Sequence, residues 1–160
     1  MVPNSVSMLK FSQLVSICEG NLLQLKKDRP VEDLIIDSRK PMLTDHALFF
    51  AIAGERHDGH VYISELYQKG VRQFVVEKLI ETKALPEANI LLVHSSVTAL
   101  QKIAQSHRIN FSFPVIGITG SNGKTIIKEW IYQLLSSDFR IVKNPGSYNS
   151  QLGVPLSVWQ

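Results

Sequence analysis

Residues 115–125 read Val-Ile-Gly-Ile-Thr-Gly-Ser-Asn-Gly-Lys-Thr. An apolar run, Val115 to Ile118, leads into a glycine-bearing turn that ends in Gly123-Lys124-Thr125. Behind the turn, Ile127, Trp130, Ile131, Leu134 and Leu135 fall at the three- and four-residue spacing of one helix face. The pattern therefore predicts strand, glycine turn, helix. A phosphate-binding loop needs this order, because backbone amides must converge on an anion at a helix N-terminus. Gly120 and Gly123 give the backbone the required freedom. Lys124 supplies a point charge for the outer phosphates, and the Thr125 hydroxyl reaches a magnesium ion. One departure stands out. The pattern G-x-x-x-x-G-K-[ST] places its first glycine at position 118, where this chain has Ile118, with Gly117 one place early.

Upstream of the loop, short apolar runs alternate with helical patterns. Leu34 to Ile36, Leu48 to Ile52, Phe74 to Val76 and Ile90 to Val93 read as buried strands. Helices are expected over Ser12 to Cys18, with Ser12 as N-cap, over His60 to Lys69, stopped by Gly70, and over Ser96 to Ile109. Alternation of this kind predicts an α/β fold. A boundary falls at the segment Asn110-Phe111-Ser112-Phe113-Pro114. It divides the chain into a small N-terminal α/β domain, residues 1–110, and a truncated P-loop nucleotide-binding α/β domain, residues 111–160. After the loop helix come a strand at Arg140 to Val142, a turn-rich stretch, and the start of another helix. Further strands of this second domain are expected beyond Gln160.

Composition narrows the function. A hydrophobic fraction of 44% and a charged fraction of 19% fit a globular core, and the net charge of +3 is scattered. Neither a nucleic-acid patch nor a membrane-surface helix is expected. Cys18 is the single cysteine, so no intrachain disulfide can form. With no secretory leader pattern and no long apolar run, the expectation is a cytoplasmic, soluble protein. His57, Asp58 and His60 are too few for a zinc site, and Arg56 beside them opposes a cation. His94 and His107 read as surface or helix-end residues, and Trp130 and Trp159 as core.

The loop Thr119-Gly120-Ser121-Asn122-Gly123-Lys124-Thr125 resembles the ATP loop of the Mur ligases and folylpolyglutamate synthetases, which also replace the first glycine. Asp37-Ser38-Arg39, Leu48 to Gly54, and Asp58-Gly59-His60 are similar to motifs of a Mur ligase N-terminal domain, which holds the UDP end of the substrate. The stretch Asn144 to Pro155, ending Gly-Val-Pro, resembles the branch that adds the terminal dipeptide, although Ser147 and Ser150 stand where asparagine is common. The resemblance implies an ATP- and Mg²⁺-dependent ligase that joins D-alanyl-D-alanine to UDP-MurNAc-tripeptide through an acyl phosphate. It assigns Lys124 as catalytic, and Gly120, Ser121, Asn122, Gly123, Lys124 and Thr125 to the nucleotide, with Thr125 on Mg²⁺. Ser38, Arg39, Asp58, Gly59, His60 and Asn149 go to the substrate. For Asp37 and Arg39 a turn-stabilising ion pair is the plain alternative. The 160 residues alone are expected to be inactive, and a fused alanine racemase is compatible with the resemblance. The sister ligase that adds the third residue stays open as an alternative, as does a non-catalytic nucleotide-binding module.

Overall fold

The computed structural model describes residues 8–39, 43–54, 57–145 and 150–160. One sheet holds five strands: β1 (Asn21–Gln24), β2 (Asp33–Ile35), β3 (Ala47–Phe50), β4 (Gln73–Val76) and β5 (Asn89–Leu92). Their spatial order is β1-β5-β4-β3-β2. Strands β2 to β5 run parallel, and β1 lies antiparallel to β5. Around them stand α1 (Leu14–Cys18), α2 (Ile63–Gln68), α3 (Ser96–Ile109), α4 (Lys124–Leu135) and α5 (Gly153–Val158).

Side chains alternate across a strand, so a parallel sheet covered on both sides needs apolar residues at every position. Leu34, Leu48, Phe50, Val75 and Leu91 pack on one face with α1 and α3. Ile35, Phe49, Phe74, Val76 and Ile90 pack on the other with Ile63 and Leu66 of α2. Phe49 and Phe74 meet edge-on at 6.4 Å between ring centroids. Complete burial of one such ring contributes ~1.5–3 kcal/mol. Buried amides close the amino ends of the strands. Asn89 accepts the Lys26 amide at 2.9 Å and donates to the Lys27 carbonyl at 2.7 Å.

Strands β2 to β5 and helix α3 fall where the sequence predicts them. The Ser95 hydroxyl accepts the Thr98 amide and caps α3. Other expectations need correction. Ser12 caps no helix; it lies in a 3₁₀ turn, Phe11–Gln13, with its amide and hydroxyl both bonded to the Asp28 carboxylate at 2.9 Å. The expected helix over 60–69 splits into a 3₁₀ turn, Gly59–Tyr62, and α2. Strand β1 was not anticipated, because Leu22 and Leu23 between polar neighbours make a pattern too short to read.

The larger corrections lie past residue 110. Val115 to Ile118 is not a strand: no neighbour among the described residues pairs with it, and Val115 and Ile116 are 68% and 63% exposed. Arg140 to Val142 is likewise unpaired. Helix α4 forms as expected, yet none of its residues is buried, and Trp130 is 62% exposed. A helix face becomes core only when a sheet lies beneath it, and the described residues provide none there. Trp159, just past α5, does pack against the first core, and its Nε1 donates to the Glu32 carbonyl at 2.8 Å.

Candidate functional site

Parallel topology collects the ends of four strands at one edge of the sheet. Asp37-Ser38-Arg39 follows β2, the segment Ala51 to His60 follows β3, Glu77-Lys78 follows β4, and His94 to Ser96 follows β5. In open α/β sheets this carboxyl end is the ordinary ligand position. Most of the substrate candidates from the first half of the sequence therefore share one region.

After β2 the chain turns on an ion pair. Arg39 Nη2 lies 2.6 Å from Asp37 Oδ2, its Nε lies 2.9 Å from Oδ1, and its backbone amide donates to Oδ1 at 3.0 Å. The guanidinium and then the amide pull the Asp37 carboxyl down to about 2. The ion pair expected as the plain alternative is thus formed, with Arg39 still largely exposed and Ser38 half-buried between the two. A cleft of about 660 Å³ runs beside this turn. Its walls are residues 33–37 and Arg39 on one side, and Leu156, Trp159 and Gln160 on the other.

After β3 the chain makes a narrow loop. Gly54 donates to the His57 carbonyl at 2.9 Å, and Gly59 donates to that of Ile52 at 2.8 Å. Gly59 is required by space, since a Cβ would lie 2.8 Å from the Ile52 nitrogen. Asp58 caps the 3₁₀ turn by accepting the His60 amide at 2.9 Å. His60 is buried, and its Nε2 accepts the Glu77 amide at 3.0 Å. The ring proton therefore sits on Nδ1, which donates to Asp58 Oδ1 at 2.6 Å. Lys78 Nζ reaches the other Asp58 oxygen at 2.5 Å. The Lys78 ammonium first, then the His60 amide and ring, hold the Asp58 carboxyl well below the usual carboxylate range. Glu77 and Lys78 were not singled out from the sequence. Their position immediately after a parallel strand was the available signal.

The phosphate-loop candidate lies apart, leading into α4. Gly120 has φ +147° and Gly123 φ +78°, in the region that favours glycine. Gly123 is the N-cap of α4 and, as a glycine, makes no side-chain cap hydrogen bond. A Cβ at Gly117 or Gly123 would meet nothing within 4 Å, so the surroundings are open. Lys124 curls back, and its Nζ donates to the carbonyls of Gly120 and of Ser121, the latter at 3.3 Å. Ser121, Asn122 and Thr125 are exposed. The donor set fits a polyphosphate: free amides at a helix start, one ammonium, and exposed hydroxyls for a hydrated cation. Asn149 lies outside the described residues. Among the described residues no cluster of three or more His, Cys, Asp or Glu gathers in metal-binding proximity.

Residues 31–108 match the Mur ligase family, catalytic domain, and residues 118–160 match the Mur ligase middle domain. The chain belongs to the Mur ligase family. It is 34% identical to the UDP-N-acetylmuramoyl-tripeptide–D-alanyl-D-alanine ligase of Bacillus subtilis over 91% of this chain and 31% of the relative. With the Rickettsia prowazekii enzyme of the same name it shares 40% over 69% of this chain and 24% of the relative. Among solved structures, MurF from Acinetobacter baumannii superposes with a TM-score of 0.83 at 27% identity, covering 96% of this chain and 34% of that one. MurF ligase from Thermotoga maritima, solved in complex with ADP, gives 0.70 at 35% identity over 81% of this chain and 29% of that one. The chain spans about a third of the length of the curated relatives it matches. No helix among the described residues is long and apolar enough to cross a membrane.

Proposed function

We propose that this chain supplies the substrate-binding domain, residues 1–110, and the opening of the ATP-binding domain, residues 111–160, of a cytoplasmic ligase of peptidoglycan-precursor synthesis. The reaction joins D-alanyl-D-alanine to UDP-MurNAc-tripeptide. ATP phosphorylates the peptide's terminal carboxylate, and the dipeptide amine displaces phosphate from the acyl phosphate. The observation that carries this reading is the loop itself. Gly120 and Gly123 adopt positive φ, Lys124 stands over the turn, and α4 begins directly behind it. The chemical difficulty is the approach of a carboxylate to a triphosphate. The amides of residues 120–125 and the Lys124 ammonium offset that repulsion and stabilise charge on the transferred group. Thr125 is the candidate contact to Mg²⁺, and Asn149 a further substrate candidate.

At the sheet's carboxyl end, Ser38 and Arg39 would hold the uridine nucleotide, with Asp58-Gly59-His60 beside them. Support comes from their shared strand ends and from the neighbouring cleft. In a full-length ligase carrying this chain, Lys124→Ala should lower tripeptide- and dipeptide-dependent ADP release by about a hundredfold or more. Ser38→Ala should weaken binding of UDP-MurNAc-tripeptide in isothermal titration. Wild-type turnover by the lysine variant ends the catalytic assignment, and unchanged affinity in the serine variant ends that of Ser38.

A further inference from the structure

Glu77 occupies a junction that none of the family motifs contains. It lies just after β4, and three separate segments converge on it. Its Oε1 accepts the amide of Ser96, the first residue of α3, at 2.6 Å. Its Oε2 accepts the amide of Ala53, on the outgoing limb of the loop after β3, at 3.2 Å. Its own backbone amide donates to Nε2 of His60, on the returning limb, at 3.0 Å. Ser96 adds a fourth tie by donating its hydroxyl to the Ala51 carbonyl at 3.2 Å. One residue thus links the segments leaving β3, β4 and β5.

The chemistry suits a carboxylate. Two backbone donors and the positive end of a fourteen-residue helix share its charge. Its amide fixes the His60 tautomer, which turns Nδ1–H toward Asp58. The geometry of the Asp58-Gly59-His60 turn therefore depends on the half-buried Glu77 from both limbs.

We propose that Glu77 is a positioning residue for the nucleotide-sugar end of the substrate, setting the two limbs after β3, residues 51–54 and 57–60, in their binding conformation. This rests on the proposed role of the Asp58-Gly59-His60 turn. Loss of the carboxylate frees the Ala53 and Ser96 amides and lets the outgoing limb move, without touching the Gly120–Thr125 loop.

The test is isothermal titration of the 160-residue chain and its Glu77→Ala variant with UDP-MurNAc-tripeptide, alongside thermal melting and amide exchange at Ala53 and Ser96. The expected result is an affinity at least tenfold weaker in the variant, with faster exchange at those two amides. In a full-length ligase the same change should raise KM for the UDP substrate tenfold, leaving kcat and the KM for ATP unchanged. A merely structural residue would lower the apparent kcat through loss of folded enzyme and leave both KM values near wild type. If Glu77→Ala fails to fold, Glu77→Gln decides: it keeps one acceptor, and a loss of threefold or more is expected. Affinity within twofold of wild type in a folded variant overturns the role of Glu77 and leaves the site standing. A folded wild type with no affinity for UDP-MurNAc-tripeptide overturns the site, and this inference with it.

Discussion

Gly59 shows how closely the candidate substrate loop is fitted to the sheet. A Cβ there would sit 2.8 Å from the Ile52 nitrogen and 3.1 Å from the Ala51 Cα, both backbone atoms at the end of β3. Backbone cannot swing aside as a flexible side chain can, so Gly59→Ala must push the loop away from the strand. Overpacking of this kind costs ~1–3 kcal/mol. The variant should show a lower urea midpoint with an unchanged slope, and an unaltered midpoint would refute the fit. Cys18 illustrates the opposite situation. Burial pushes its thiol up to about 12, and its Sγ–H points at the Ala99 carbonyl, so the side chain serves as a small apolar filler between α1 and α3. Lys124 and its loop could be singled out from their immediate neighbours, because glycines, lysine and hydroxyl lie adjacent in the chain. Glu77 was not legible: its side-chain partners, Ala53 and Ser96, stand 24 and 19 residues away.

Among the elements, the last turn of α3 has the most to hold. His107 lies half-buried between the rings of Trp159, 4.4 Å away, and Phe111, 5.0 Å away. Arg108 donates through Nη1 to the Phe111 carbonyl and through Nη2 to that of Phe113 at 2.8 Å. Burial lowers the His107 pKa below its ordinary value, so the folded chain favours the neutral ring. The unfolded chain takes up a proton first as the pH falls. The stability tied to this residue is therefore complete above about pH 6.5 and is lost as the pH drops toward the lower folded pKa. His46, paired with Glu32 at 2.8 Å, lies near the Trp159 hydrogen bond to the Glu32 carbonyl, so the assignment needs a control. In a Trp130→Phe background, Trp159 fluorescence should change between about pH 7 and about pH 5. Adding His107→Gln should flatten most of that change, and an identical curve in both proteins would show that His107 is not the titrating group. Sequence periodicity located α3 to the residue, since fourteen positions and a serine cap give a strong signal. The 3₁₀ turn before α2 was missed because its shape is set by Asp58, His60 and the strand end behind them.

On the scale of the whole molecule the two halves differ in how far sequence could describe them. The first half was readable as α/β because a parallel sheet buried on both faces leaves continuous apolar runs. The second half carried an equally good pattern, yet Ile127, Trp130 and Leu134 are 44%, 62% and 75% exposed, and Val115 to Ile118 finds no partner among the described residues. Local pattern specifies which residues want to be inside; only tertiary neighbours put them there. This exposed apolar face should make the 160-residue chain bind a hydrophobic dye and self-associate at micromolar concentration. The double variant Trp130→Glu, Leu134→Glu should suppress both, as read by dye fluorescence and sedimentation. A wild-type monomer with no dye binding would contradict that expectation. The aromatic contacts on α3 carry one more implication. Phe111 and Trp159 meet on the same imidazole, so the chain that leaves α3 is brought back to it at the end of α5. The two contacts bound the length of chain between them, so holding one end narrows what the other can sample. Undocking the final helix should accordingly loosen the stretch that enters Gly120, and an anion that stiffens that stretch should help the helix to dock.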